Sequence, residues 1–285
     1  MNRHDLQTQY QAGERAFNDV KLTQQSLAWI NLSHADLSHA DLEQANLSAA
    51  ILRLTHFAEA NLAKAKLRAA DLEQTQFNRA NLQGADFTRS DINQTQFQAA
   101  NLSFATFKDA NIHKANFSYA NLQQAQLAEL DLRTALFSHS DLRGANLKGA
   151  NLRGSNLQSA NLNHTDLSGL DLSGANLSYA DLQGANLQET ILYGTILTNA
   201  NLQDVDLQQA KLSGTNLYQS NLDQANLSQA KLKWVNLDQA NISEAELEDA
   251  DLRQAHLPAA IAEEATFQPP NLGKAIAPDS FTFSR

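Results

Sequence analysis

The chain has 285 residues, no cysteine and a formal net charge of −10 at pH 7. The lack of cysteine excludes disulfides and thiolate chemistry, and no apolar run is long enough to cross a membrane. No basic-then-apolar leader opens the sequence, so we expect a cytoplasmic protein.

The first predicted element is a short N-terminal helix over residues 5–12, DLQTQYQA. Asp5 is its expected N-cap, although Thr8 stands where a capping box would have Glu or Gln. Leu6 and Tyr10 share one helical face. We therefore expect this helix to lie on the first turn of the structure that follows.

A five-residue period then runs without interruption from Phe17 to Leu257. Every fifth residue is Leu, Phe or Ile, and the 49 positions comprise 38 Leu, 8 Phe and 3 Ile. The residue two places earlier is small, and the one between is usually Asn or Asp. This spacing fits neither one face of an α-helix nor a flat strand. The backbone must turn a corner every five residues, and stacked corners make a solenoid.

Two columns of identical residues predict the size of one coil. Phe recurs every 20 residues over 57–137, and Gly recurs every 20 residues over 154–214. Rings stack best on rings of the same size, so each set is expected to form a column. Four pentapeptides then make one coil, with about 12 coils in all. We label the four walls by their large residues: Leu37 for wall one, Leu42 for wall two, Leu47 for wall three and Leu52 for wall four.

Glycine positions predict the type of corner. Nine of the 11 glycines stand two places after the large residue, which is the third position of a four-residue turn. A type II turn requires a positive φ there, and glycine adopts it without steric cost.

The pattern A-(N/D)-L-x-x, seen in ADLSHADLEQANL and GANLKGANLRGSNL, resembles the pentapeptide-repeat family. The resemblance covers about residues 15–257. It implies an all-β fold, a right-handed quadrilateral β-helix with a short N-terminal capping helix. The opening QYQAGERAF and the closing KAIAPDS are similar to the termini of cyanobacterial members that regulate heterocyst differentiation.

The unbroken frame predicts a single domain with an N-terminal cap at 1–14, a β-helix at 15–257 and a C-terminal cap or tail at 258–285. All four prolines, from Pro258 onward, lie in the last segment. Proline removes ladder donors, so the regular stack is expected to end near 258–272. Phe267 and Leu272 keep the frame and allow one irregular extra coil.

Charge is unevenly distributed along the chain. Eight acidic residues lie between Asp238 and Glu264, and Arg253 alone opposes them. One end of the solenoid is therefore expected to be acidic, and the rest close to neutral.

Exceptions to the outward repeat pattern point to a binding face where walls four and one meet. This corner carries the glycines at 154, 174, 194 and 214, and exposed apolar clusters mark interaction sites. The predicted partner-binding residues are Ile191, Tyr193, Ile196, Tyr218 and Trp234, with Arg133, Arg153 and Lys231 on wall four. The alternative is repeat drift without function, and the more scattered outward residues are Phe104, Tyr119, Leu136 and Tyr179.

The residues give no indication of catalysis. The chain has no glycine-rich phosphate loop and no G-x-S-x-G, and its eight histidines form no convincing cluster with carboxylates. A four-sided rod with a filled core offers no concave pocket. We expect no enzyme activity, no metal site, no cofactor and no small-molecule substrate.

Three functions remain open at this point. The first is a protein-interaction scaffold, and the resemblance implies a transcriptional regulator of cell differentiation as its partner. The second is a DNA mimic acting on DNA gyrase, by inhibition or fluoroquinolone protection, as in some members of the family. The concentration of acid at one end disfavours it, because duplex charge is uniform along its axis. The third is a structural or stress-related protein without a specific partner. No direct contact with nucleic acid or membrane is expected.

Overall fold

The computed structural model of the protein describes residues 1–266 and 272–276. These residues fall into two compact units, Met1–Asn146 and Leu147–Arg285. Each unit has its own parallel ladders. Among the described residues, no helix combines the length and the apolar character needed to cross a bilayer.

The first unit opens with α1 (Arg3–Gln11), the one α-helix of the described residues. Its N-cap is Asn2, whose side chain accepts a hydrogen bond from the Asp5 amide at 3.0 Å. The Asp5 carboxylate in turn accepts the Asn2 amide at 3.4 Å. The prediction of Asp5 as N-cap is therefore wrong. With Asn2 as the cap, Asp5 becomes the third residue of a complete capping box, which satisfies two otherwise free amides.

Helix α1 packs on the first coil as expected. Leu6 is fully buried. The Tyr10 hydroxyl donates to the Ser33 carbonyl at 3.0 Å, and the Arg3 guanidinium donates to the Ala28 carbonyl at 3.1 Å. These contacts cover backbone that would otherwise invite end-to-end association.

The ladders confirm the 20-residue register. Bridges in the first unit run from Ala16↔Asp36 to Gln126↔Asn146, and in the second unit from Asn156↔Asn176 to His256↔Ile276. All are parallel single-residue bridges between residues 20 apart, and the described residues form no longer strands. Each pentapeptide closes its corner with a turn, such as the Ala35 amide donating to the Leu32 carbonyl at 3.0 Å. The four ladders of each unit are therefore the four walls.

Corner geometry matches the prediction from glycine. All nine repeat glycines, from Gly84 to Gly214, have a positive φ of between 61° and 72°. Most other corners adopt the same conformation with non-glycine residues, for example Gln74 at 58°. The fold thus imposes a left-handed backbone conformation even on non-glycine residues, for which that conformation is sterically unfavourable.

The core of the first unit contains the expected phenylalanine column. Successive rings from Phe57 to Phe137 stack with centroids 5.0 to 5.3 Å apart and interplanar angles of 2° to 7°. On the opposite wall, Phe87 and Phe107 stack at 4.9 Å and meet the first column edge to face. The large residues and most of the small ones are buried in both units.

The ladder continues past Pro258 in the second unit. Bridges join Asn241 to Ile261, Glu246 to Thr266 and His256 to Ile276. Pro258 occupies the second position of a turn. The amide at that position takes no part in the ladder in the other repeats, so the proline removes no ladder bond. Phe267, Pro269, Pro270 and Pro278 lie outside the described residues.

Candidate functional site

The outward Asn and Asp residues have a structural role that sets the background for any site. The side chain of each accepts the amide two residues later, as in Ser173 N to Asp171 Oδ1 at 2.9 Å and Ser178 N to Asn176 Oδ1 at 3.1 Å. This amide has no place in the ladder, so the side chain satisfies it. Asn side chains also donate along the column, as Asn221 does to Asn201 at 3.4 Å. Departures from Asn or Asp therefore change the hydrogen bonding of the wall.

In the second unit, the corner between walls four and one is bare. A methyl group added at Gly154, Gly174, Gly194 or Gly214 would meet no atom within 4 Å. We call these four residues the glycine corner. Backbone is accessible along it, as the sequence predicts.

Apolar residues flank the glycine corner on both sides. Ile191 lies in the wall-four ladder between Asp171 and Lys211, and Ile196 lies in the wall-one ladder of the second unit. Tyr193 and Ile196 are 46% and 41% exposed, which leaves them available for contact. Ile191 and Tyr218 are half-buried.

Trp234 closes the glycine corner at its C-terminal side. It occupies the corner position one coil beyond Gly214 and is 61% exposed. Its φ is +56°, a conformation in which a bulky side chain is unfavourable. Most corners of the repeat share this conformation, so the exposed indole, and not the backbone, marks Trp234 as a candidate contact residue.

The predicted basic residues are divided between the two units. Arg153 and Lys231 lie on wall four of the second unit, and Arg153 pairs with Asp171 at 3.1 Å. Arg133 belongs to the first unit, where it holds Asp131 through two bonds of 2.7 and 2.8 Å and lowers the pKa of that carboxyl. Its share in the binding face stays a prediction.

Asp251 lies between two cations on wall four of the second unit. The Arg253 side chain donates two hydrogen bonds to it, at 2.7 and 2.8 Å, and Lys233 approaches it to 3.5 Å. Arg253 and Lys233 together lower the pKa of Asp251 to about 2, against the opposing effect of burial. This carboxylate remains charged at every physiological pH.

The first unit has a depression that the sequence interpretation missed. It has a volume of about 510 Å3 and is lined by residues that include Asn93, Asn111, His113 and Asp131. Among the described residues, no bridge joins Asn111 to Asp131. The wall-four ladder of this unit is therefore open at one level.

Thr134 offers a physical cause of the opening. Thr134 is the one β-branched residue at a corner in the described chain, and its φ is not positive. β-Branched residues are the least able to adopt that conformation. The Lys114 amide bonds to Thr134 Oγ1 at 3.0 Å instead of to a carbonyl of the next coil. The signal was present in the sequence as the β-branched residue at this corner.

Other exposed aromatic side chains are separate from the glycine corner. Tyr119 stacks on His139 with centroids 4.6 Å apart, and Phe104 and Tyr179 stand at corners of their own. Trp29, at 79% exposure, was not singled out from the sequence. No group of three or more His, Asp or Glu side chains in the described residues is arranged to hold a metal ion.

Two family models match the repeat of this chain. A model described as Pentapeptide repeats (8 copies) matches residues 17–53, 131–169, 166–204, 200–239 and 236–268, and a model described as Pentapeptide repeat region matches residues 70–147. The chain belongs to the pentapeptide-repeat family. Membership implies a right-handed quadrilateral β-helix, and neither matching model describes a catalytic domain.

Several solved pentapeptide-repeat proteins are similar to this one. HetL from the cyanobacterium Nostoc sp. strain PCC 7120, involved in heterocyst differentiation regulation, is 31% identical, with 90% of this chain and 98% of HetL covered and a TM-score of 0.29. QnrB1, a plasmid-mediated fluoroquinolone resistance protein, is 21% identical over 68% of this chain and 90% of its own, with a TM-score of 0.42. A pentapeptide-repeat protein of the Arabidopsis thaliana thylakoid lumen is 27% identical over 37% and 66%, with a TM-score of 0.31. No protein with a curated description matches significantly.

Proposed function

We propose that this pentapeptide-repeat protein is a non-enzymatic scaffold that binds a regulatory protein along the glycine corner of its second unit. The observation that carries the proposal is the bare corner with Tyr193 and Ile196 beside it and Trp234 at its end. Large aromatic side chains next to accessible backbone are typical anchors of protein interfaces. The similarity to HetL, which is involved in heterocyst differentiation regulation, supports a transcriptional regulator of cell differentiation as the partner.

The test is affinity capture from the native cells with matched variants. Trp234→Ala combined with Tyr193→Ala removes both anchors, and Trp29→Ala combined with Tyr119→Ala removes two exposed aromatics of the first unit as a control. A partner should be retained by the wild type and the control and lost by the first variant. With the purified partner, the first variant should weaken binding by on the order of 2 kcal/mol or more. Equal recovery by all three proteins would reject this face.

A DNA mimic acting on DNA gyrase remains the alternative. It is favoured by the acidic residues that line walls two and three of the second unit, such as Asp181, Asp206 and Glu246. A supercoiling assay with purified gyrase, with and without a fluoroquinolone, tests it directly. Inhibition or protection at stoichiometric protein would establish the alternative in place of the scaffold.

A further inference from the structure

The second unit separates its charges between walls. The 20-residue register places six of its seven described Lys and Arg residues on wall four or at the corner between walls four and one. They are Arg153, Lys211, Lys231, Lys233, Arg253 and Lys274. Among the described carboxylates, Asp171 and Asp251 alone share this wall with them. Of the 15 described acidic residues of the unit, 12 lie on walls two and three or their corners. The second unit as a whole is therefore acidic on two walls and basic on a third.

Two lysines at the centre of wall four have no counter-ion. Lys211 and Lys231 are direct neighbours in one ladder and are both exposed. No carboxylate of the described residues lies within 4 Å of either ammonium group, whereas the aspartates above and below them pair with Arg153, Lys233 and Arg253. Like charges on directly neighbouring strands destabilise a sheet. A bound anion would remove that repulsion.

The same coils expose backbone donors. Ile191, Lys211 and Lys231 stand where Asn or Asp would accept the amide two residues later. The amides of Tyr193, Ser213 and Lys233 accordingly have no acceptor among the described residues. Just outside this run, the Ser173 and Arg253 amides are satisfied by Asp171 and Asp251. Three successive coils therefore present free N–H groups on the wall that also carries the unpaired lysines.

We propose that wall four of the second unit, from Ile191 to Lys233, binds an acidic extended segment of a partner protein. The inference rests on the proposed scaffold function and adds the chemistry of the partner. Carboxylates of the segment would accept hydrogen bonds from the free amides and pair with Lys211 and Lys231. The bare glycine corner beside them allows its backbone to approach, and Tyr193 and Trp234 take its apolar side chains.

The direct test uses fluorescence anisotropy with a short labelled peptide that alternates Glu and Leu. A Lys-for-Glu version of the peptide and a single-stranded oligonucleotide serve as competing probes. The Glu peptide should bind best, and its affinity should fall between about 10 mM and about 150 mM salt, as the Debye length shortens from about 30 Å to about 8 Å. Tighter binding of the oligonucleotide, or equal binding of the Lys peptide, would overturn the proposal.

Variants of equal charge locate the site. Lys211→Glu with Lys231→Glu should weaken the Glu peptide about tenfold or more, while Lys64→Glu with Lys66→Glu in the first unit should leave it within about twofold. Lys211→Gln with Lys231→Gln provides a milder pair if the reversal impairs folding, which circular dichroism reports. Equal losses in both units would refute the site. Partner capture that survives Lys211→Glu with Lys231→Glu but fails with the aromatic variant would leave the scaffold function standing and remove only the acidic preference.

Discussion

Thr134 Oγ1 lies 3.0 Å from His113 Nδ1 and joins two coils at a level where the backbone ladder of the first unit does not. The hydroxyl of Thr134 thus connects the two coils where ladder bonds are missing. Its corner has lost the positive φ, and the depression beside it follows from that loss.

Replacing Thr134 by Gly should close the depression. Glycine restores the left-handed corner and with it the ladder between Asn111 and Asp131, and each recovered hydrogen bond contributes about 1 kcal/mol. Gln74→Gly is the matched control, since Gln74 already has a φ of 58° in a regular corner. Urea unfolding followed by circular dichroism should show Thr134→Gly gaining at least about 1 kcal/mol more than the control. Identical shifts for the two variants would contradict this account of the opening.

Ile191→Asn should raise stability and lower binding together. The new side chain supplies the missing acceptor for the Tyr193 amide, which is worth about 0.5–1.5 kcal/mol in free energy of unfolding. It also withdraws one donor from the acidic segment, so the Glu peptide should bind about twofold to tenfold more weakly. Ile51→Asn is the control, because Ile51 leaves the Arg53 amide in the same situation in the first unit. Thermal unfolding and anisotropy should show stabilisation by both variants and weaker binding only by Ile191→Asn.

Acid should destabilise the protein partly through Asp251. Its pKa is about 2 in the folded chain and near the ordinary 3.8 when unfolded, so the unfolded state binds a proton first. The stabilisation is fully present above about pH 4 and is lost as the pH falls towards about 2. Asp251→Asn should flatten the pH dependence of the free energy of unfolding in that window. Arg253→Gln should move the acid-induced loss of stability to higher pH. Profiles parallel to that of the wild type would show that the ion pair contributes nothing.

The repeat itself made the fold readable from the sequence. A large residue every five positions and matched columns every 20 predicted the stacked rings of Phe57 to Phe137 and the glycine turns. Both depend on local spacing, which no distant contact can alter in a chain whose contacts are between neighbouring coils. The N-cap did not follow from residue type alone, because Asn2 and Asp5 are both good caps and act as a pair.

The candidate site was only partly readable. The columns placed Tyr193, Ile196 and Trp234 around the bare corner, and their exposure agrees with that placement. The proposed binding role of Lys211 and Lys231 did not follow from residue types. It depends on the backbone amides beside them that the ladder leaves without an acceptor. The separation of charge between walls depends on position around the coil, which the order of charges along the chain does not display.

The register of the second unit, in which every bridge joins residues 20 apart, restricts how such a protein can change length. Insertion of a single pentapeptide would rotate everything beyond it by a quarter turn and carry the lysines of one wall onto the next. Only duplication or loss of an entire circuit keeps the surface in alignment. Lineages of this protein should therefore differ in size by multiples of one circuit wherever the recognition face is under selection.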